Sequence, residues 1–326
     1  MLEMSITALM VLLTAVTSFS LYLTCLKLYP ENKFSLFFWT HLFSYAFFTI
    51  FVIIYEFWIE HEHVQAVHEF VTTVTFTNLP LYIAEAAITI ASIVLIKELM
   101  STNEPGVVIA FTQINVLFSA VGFYLLGDKT SFDSFIGLLI IFCGAMIAGM
   151  KKFSFNIFKD YEPKLFKLGA AYAGLQTSRI LITYLCTAKM NTTTQEILQT
   201  LTKHLHVIPF APLTPLHFNV GVQSIIVISL FIYTAYYLDK PQSIINGIKN
   251  HFKVVLLLSF LFTAFGFLYL QVFGMIANKD IIVGTMRLYV PLTIALGYLL
   301  FQKKPSKQVI VGTLVIVCGS MYTMFV

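Results

Sequence analysis

Apolar runs about twenty residues long recur along this 326-residue chain from one end to the other. A transmembrane α-helix needs about 20 consecutive, mostly apolar residues. Only 11% of the residues are charged, against about 25% in ordinary globular domains, so the chain lacks the polar surface of a soluble protein of this size. We therefore expect an all-α integral membrane protein with ten spans: 5–27, 34–58, 80–98, 105–126, 131–150, 165–188, 218–238, 253–277, 281–301 and 306–325.

The runs indicate helices rather than barrel strands. Strands of a membrane barrel alternate apolar and polar residues, whereas the segment "VVLLLSFLFTAFGFLYL" does not alternate. The first span has no basic leader or small-residue cleavage site, so we expect it to be retained. The net charge of +4 is small and dispersed, which argues against a nucleic-acid partner.

The sequence contains an internal repeat. Residues 117–150 align without a gap to residues 292–325, and 12 of the 34 aligned pairs are identical. The stretch "GLLIIFCGAM" at 137–146 and its counterpart "GTLVIVCGSM" at 312–321 are the clearest part. Chance similarity between apolar helices does not explain the aligned glycines or the aligned Lys-x-Ser of the connecting turn, so we infer a duplication.

The duplication predicts two units of five spans each, residues 1–150 and 151–326. Five is odd, so the second unit must enter the bilayer from the opposite side. Inverted repeats of this kind recur in secondary transporters, which place the substrate site near the membrane midplane between the repeats.

Two segments carry a resemblance to a known family. They are "AFTQINVLFSAVGFYLLGDKTSFDSFIGLLIIFCGAMI" and "GTMRLYVPLTIALGYLLFQKKPSKQVIVGTLVIVCGSMY". They resemble the two copies of the EamA-type module of the drug/metabolite transporter superfamily. The usual proline is present as Pro291 but is Val116 in the first copy, and the usual Glu-Arg of the turn reads Asp128-Lys129 and Gln302-Lys303. The resemblance implies a ten-helix carrier with both termini inside the cell.

Three ionisable side chains fall inside predicted spans: Glu85, Arg179 and Arg287. Such residues are costly in a membrane and by default indicate function. Guanidinium groups bind carboxylates and phosphates through paired hydrogen bonds, so the two arginines predict an anionic or zwitterionic small-molecule substrate. Glu85 would neutralise one arginine, bind a substrate amine or carry a coupled proton. The structural alternative is a Glu–Arg pair with a second arginine that reaches the interface.

Other polar residues within spans are weaker candidates for the substrate site: Gln113, Asn115, Gln176 and His41. Pro291 is expected to loosen the ninth helix by freeing the carbonyl of Arg287, which would supply a gating kink or a static bend.

The lysines favour one orientation. Fourteen lysines fall on the face opposite the termini and four on the termini face, and the positive-inside rule then places both termini outside. The family resemblance implies the reverse, so the orientation stays open.

Two connecting segments are unusually polar. The segment "NTTTQEILQTLTKHL" predicts an amphipathic interfacial helix over 193–205 and contains a formal glycosylation sequon at 191–193. The segment "EHEHVQAVHE" contains His61, His63 and His68. Metal capture there is conceivable, but a solvated interfacial segment is the simpler interpretation, and we predict no metal or cofactor.

The sequence therefore predicts a secondary transporter, not an enzyme, that moves a small polar organic solute such as an amino acid or organic anion by alternating access. A coupling proton or counter-substrate is possible, the lipid bilayer is the expected environment, and the expected state is a monomer or homodimer in a bacterial inner membrane. The alternatives are efflux of apolar or cationic compounds through Glu85, and a non-transporting scaffold or partner subunit. No nucleophile–base or metal constellation indicates an enzyme.

Overall fold

The computed structural model describes residues 6–28, 33–55, 79–102, 108, 112–125, 131–150, 163–187, 215–237, 241–276, 279–302 and 304–325. Within these ranges the secondary structure is helical, with no strand. We number the α-helices in chain order: α1 Ile6–Cys25, α2 Lys33–Tyr55, α3 Leu79–Thr102, α4 Asn115–Leu125, α5 Phe132–Gly149, α6 Pro163–Thr187, α7 Pro215–Tyr237, α8 Pro241–Met275, α9 Lys279–Met286, α10 Tyr289–Phe301 and α11 Lys307–Phe325.

The helices follow the predicted apolar stretches. Each of the ten stretches overlaps a described helix, and the ninth overlaps both α9 and α10. The bounds differ most for the fourth stretch, 105–126, whose α-helix begins at Asn115, and for the eighth, 253–277, whose helix begins at Pro241. α8 is bent at His251, whose backbone is not helical, two residues before the predicted start of the eighth span. The all-helical class is confirmed for the described residues. Six of their helical segments are long and apolar enough to cross a membrane, which indicates a multi-pass membrane protein.

The two copies of the repeated stretch pack against each other, α5 against α11. A Cβ atom added at Gly144 would lie 2.7 Å from the carbonyl oxygen of Gly312, and one added at Gly319 would lie 2.8 Å from the carbonyl oxygen of Gly137. The start of each helix therefore contacts the end of the other, and the two helices run antiparallel. Small residues let helix backbones approach this closely where a membrane supplies no hydrophobic force between helices.

The aligned serines of the two turns have the same role. Ser131 is the N-cap of α5, and its hydroxyl accepts a hydrogen bond from the backbone N–H of Ser134 at 3.0 Å. The hydroxyl of Ser306 accepts one from the N–H of Val309 at 3.3 Å, at the start of α11. Serine is favoured here because its oxygen satisfies an N–H group that has no partner within the helix.

Several helix contacts form matching pairs when helices before residue 151 are exchanged for their counterparts after it. The contact of α1 with α8 corresponds to that of α6 with α3. The contact of α2 with α8 corresponds to that of α7 with α3. α1 also contacts α10, as α6 contacts α4, and α2 contacts α7. Among the described residues, however, the contacts of α7 with α6 and with α8 are not matched by comparable contacts of α2 with α1 and with α3.

The fourth span of each unit is irregular at the same aligned position. In the first unit a 3₁₀ turn at Thr112–Ile114 precedes α4. In the second unit Arg287 and Leu288 form a turn between α9 and α10. The carbonyl of Arg287 accepts a hydrogen bond from the N–H of Val290 at 3.0 Å. The prediction that Pro291 frees this carbonyl was therefore wrong. The turn tightens, and the N–H of Val290 replaces the donor that Pro291 lacks.

Three sequence predictions lie outside the described residues: the amphipathic helix at 193–205, the sequon at 191–193, and the histidine segment with His61, His63 and His68.

Candidate functional site

Arg287 lies in the turn between α9 and α10, where the helix is interrupted. Its side chain is buried, and one guanidinium nitrogen donates a hydrogen bond to the Gln113 side-chain oxygen at 2.9 Å. The amide nitrogen of Gln113 in turn donates to the Tyr289 hydroxyl at 2.6 Å. Because Gln113 belongs to the 3₁₀ turn of the first unit, this network joins the irregular fourth spans of the two units.

Neutral groups are the hydrogen-bond partners of this cation. The described residues contain two ion pairs, Lys164–Glu98 and Arg179–Glu85, and Arg287 is in neither. Within the same part of the chain, the Nε of Arg287 and the side-chain oxygen of Asn115 are buried without a hydrogen-bond partner. A buried charge is expensive unless it is paired, so the network leaves capacity for an anion.

Glu85 and Arg179 form a second cluster between α3 and α6. The Nε of Arg179 lies 3.5 Å from a Glu85 carboxylate oxygen, and the Thr183 hydroxyl lies 3.2 and 3.4 Å from the two oxygens. The Glu85 side chain is 4% exposed and that of Arg179 is 31% exposed. The predicted partnership of the buried carboxylate with an arginine is therefore present, and the arginine is Arg179.

His41 and Gln223 form a third polar contact, between α2 and α7. The two side chains are buried, with 3.0 Å between the His41 Nδ1 and the Gln223 side-chain oxygen. Because this oxygen can only accept, Nδ1 is the donor. His41 thus lies in the bundle interior, hydrogen-bonded between helices as intramembrane polar residues often are.

Aromatic side chains connect these clusters. Tyr172 on α6 and Tyr269 on α8 both lie within electrostatic range of Arg179 and of Arg287. His41 is within electrostatic range of Arg179. Both arginines and His41 therefore face a common region of the bundle.

Side chains of α6 and α8 border this region. Tyr172 and Tyr269 are both partly buried. On α6, Tyr172, Gln176, Arg179 and Thr183 follow one another at helical spacing, and the first three are partly exposed. α6 therefore presents a partly exposed polar face that includes Arg179.

The structure separates the sequence candidates into three polar clusters. Arg287 and Gln113 lie in the first, Glu85 and Arg179 in the second, and His41 in the third. The other candidates lie beside them. Asn115 is buried at the start of α4, where its backbone carbonyl accepts a hydrogen bond from Thr177 at 3.4 Å, Gln176 is on the Arg179 face of α6, and Pro291 is in the first turn of α10.

The sequence analysis missed four members of this region: Tyr289, Gln223, Tyr172 and Tyr269. A signal existed for three of them. Tyr289 lies between an intramembrane arginine and a proline, and Gln223 is an amide inside an apolar run. Tyr172 also had a signal, because it lies seven residues before Arg179 and therefore on the same helix face. Tyr269 is indistinguishable in sequence from the other aromatics of the apolar runs. Among the described residues no group of three or more His, Cys, Asp or Glu side chains is placed to hold a metal ion.

No family model and no curated protein matches the chain. Eighteen chains of solved structures do match. One of them, titled only "Crystal structure of protein", gives a TM-score of 0.61 at 13% sequence identity and covers 98% of this chain and 96% of its own. At that identity the likeness shows a shared fold and nothing about activity.

Proposed function

We propose that this protein is a secondary transporter with ten spans in two inverted five-helix units, which moves a small organic anion by alternating access. The observation that carries the proposal is Arg287, a buried guanidinium at the break in a helix. Its hydrogen-bond acceptor is the neutral Gln113, and its Nε has no partner among the described residues. An anion that binds there would supply the missing charge.

The helix packing supports the inverted arrangement. α5 and α11 cross antiparallel through equivalent glycines, and the contacts of α1 and α2 with α8 correspond to those of α6 and α7 with α3 when the units are exchanged. An inverted repeat requires both features, because a two-fold axis in the membrane plane exchanges the units. Interrupted helices at corresponding positions of the two units are the strongest indication of a binding site in such transporters. Arg287 and Gln113 occupy those positions.

The charge balance favours an anion over a cation. Glu85 is the one buried carboxylate among the described side chains, and both of its oxygens are engaged by Arg179 and Thr183. Efflux of cationic compounds through Glu85 would require that pair to separate, whereas Arg287 needs no rearrangement of an ion pair. Together with the resemblance to the EamA-type module, this supports a metabolite carrier in a bacterial inner membrane.

The turn between α9 and α10 is the natural moving part of this carrier. Pro291 keeps an N–H group out of the first turn of α10, and Ser20 of α1 donates a hydrogen bond to the Tyr289 carbonyl at 3.2 Å. A rocking motion between α1 and α10 would break this contact and move Arg287 with it.

The test is Arg287→Gln in purified protein, with ligand-induced thermal stabilisation as the first measurement and proteoliposome uptake as the second. Short carboxylates, dicarboxylates and inorganic phosphate form the panel, because binding to the folded state raises its apparent stability. We expect at least one anion to stabilise the wild-type protein and Arg287→Gln to abolish that effect and the uptake of the same anion.

The glutamine side chain of this variant is shorter and neutral, so the folding of the variant must be checked by its unliganded melting temperature. We expect that temperature to be unchanged or higher, since an incompletely paired buried charge is removed. Stabilisation by organic cations alone would favour the efflux alternative. Absence of any ligand effect in the wild-type protein would favour a scaffold and overturn the proposal.

A further inference from the structure

A chain of aromatic rings leads from Arg287 across the bundle interior. Tyr289, two residues from the arginine, packs edge-on against Phe19 of α1, with 4.8 Å between ring centroids. Phe19 stacks on Phe265 of α8 at 4.3 Å, and Phe265 stacks on Tyr269 at 5.5 Å. These four rings come from three helices that belong to both units.

Three of these rings are partly exposed, and one of them lies near both arginines. Phe19, Phe265 and Tyr269 are partly exposed, although each lies on a helix face that packs against another helix of the bundle. Tyr269 is within electrostatic range of both Arg179 and Arg287. A partly exposed aromatic wall next to a buried cation suits a ligand that has an apolar, planar body and one anionic group.

The polar groups of the region restrict the charge of that ligand. An amino-acid zwitterion would need a second site for its ammonium group, and the buried carboxylate among the described residues, Glu85, is already paired with Arg179. The carboxamide of Gln113 accepts a hydrogen bond from the guanidinium and donates one to the Tyr289 hydroxyl, and neither group carries a charge to receive an ammonium.

We propose that the preferred ligand is an aromatic monocarboxylate. Its carboxylate would bind the Arg287 guanidinium, and its ring would pack against Phe19 and Phe265. This rests on the proposed function, since it assigns a substrate class to the same site. Carboxylate recognition follows from the fork of donors on a guanidinium, and ring recognition follows from aromatic pairing, which adds to the burial of apolar area.

The experiment compares four probes on the detergent-purified protein by thermal stabilisation and calorimetry: 3-phenylpropionate, hexanoate, phenylalanine and 3-phenylpropanamide. They differ in the ring, the ammonium group and the anionic charge, one at a time. We expect 3-phenylpropionate to bind about threefold to tenfold more tightly than hexanoate, which corresponds to one aromatic contact. Phenylalanine and the neutral amide should bind at least tenfold more weakly.

The variants Phe19→Leu and Phe265→Leu test whether these two rings contact the ring of the ligand. Each should reduce the preference for 3-phenylpropionate over hexanoate to less than twofold while hexanoate affinity stays the same. Phe118→Leu is the matched control, because Phe118 lies on α4 with its side chain 48% exposed, and it should keep the wild-type preference.

The outcomes separate the two proposals. Equal binding of 3-phenylpropionate and hexanoate, both lost in Arg287→Gln, would overturn the aromatic assignment and leave the anion site. Tighter binding of phenylalanine than of 3-phenylpropionate would overturn the monocarboxylate assignment. Binding of 3-phenylpropionate that survives in Arg287→Gln would overturn both. If neither leucine variant folds, Phe19→Tyr and Phe265→Tyr, which keep the ring, should retain the preference, and its loss in both would count against the wall.

Discussion

At the scale of single residues, the two intramembrane arginines differ in their surroundings. Arg179 has a carboxylate partner in Glu85 and is about one-third exposed, whereas Arg287 is buried among neutral groups. In sequence the two are equivalent, because both are single arginines in apolar runs. Their different partners make Arg179 a member of a neutral pair and leave Arg287 as the candidate anion-binding group.

The Glu85–Arg179 pair predicts an asymmetric response to mutation. Arg179→Gln leaves the buried carboxylate with Thr183 as its remaining partner and should cost about 1–3 kcal/mol of unfolding free energy. Glu85→Gln leaves a cation that is 31% exposed and should cost less than about 1 kcal/mol. Equilibrium unfolding in mixed detergent micelles measures both values.

The double variant Glu85→Gln/Arg179→Gln is the control for this pair. Its loss should be smaller than the sum of the two single losses, because neither charge is then left alone. Equal losses for the two single variants would contradict the asymmetric burial.

At the scale of secondary-structure elements, the contact between α5 and α11 depends on the absence of side chains. Gly144 and Gly312 face each other so closely that a Cβ on either would lie within 2.7 Å of the other's carbonyl oxygen. Those oxygens belong to backbone, so only a separation of the helices could make room.

Gly144→Ala is therefore expected to lower the unfolding free energy by about 1–3 kcal/mol, the usual cost of overpacking. Gly174→Ala is the matched control on α6, where nothing lies within 4 Å of an added Cβ. There the alanine should be neutral or stabilise by about 0.5–1 kcal/mol through the unfolded chain and helix propensity. Thermal unfolding of the two variants in one detergent decides the point, and a loss of equal size at Gly174 would contradict it.

At the scale of the whole molecule, several helix contacts form pairs related by exchange of the two halves of the chain. An inverted arrangement places the starts of α5 and α11 on opposite sides of the membrane. Phe132 and Lys307 are the aligned first residues of these helices, and both are exposed.

Single cysteines at these two positions should therefore react from opposite sides of sealed vesicles. The variants are Phe132→Cys and Lys307→Cys, in a background without the exposed Cys143 and Cys318. A membrane-impermeant thiol reagent is expected to label one variant from outside and the other only after permeabilisation. The lysine distribution predicts that Phe132→Cys is the outside position. Labelling of both variants from the same side would contradict the inverted arrangement.

The sequence by itself determined the helical class and the positions of the helices. Backbone N–H and C=O groups in hydrocarbon must be hydrogen-bonded within the protein, which only α-helices and closed β-barrels achieve. Because the long apolar runs do not alternate as barrel strands do, they must form helices. The sequence also determined which polar residues were candidates, because Glu85, Arg179 and Arg287 are conspicuous in apolar surroundings.

The tertiary structure decided which of these residues meet. Sequence indicates the depth of a side chain in the membrane but not the direction it faces around the helix, so it could not choose which arginine pairs with Glu85. The sequence also could not predict the turn at Arg287. A proline at position 291 allows either a carbonyl without a partner or the tighter hydrogen bond from Val290 that the structure has. Tyr172 lies near Arg179 because the two share a face of α6, which the helical spacing indicates. Tyr269 lies near both arginines through the packing of separate helices, which no local pattern encodes.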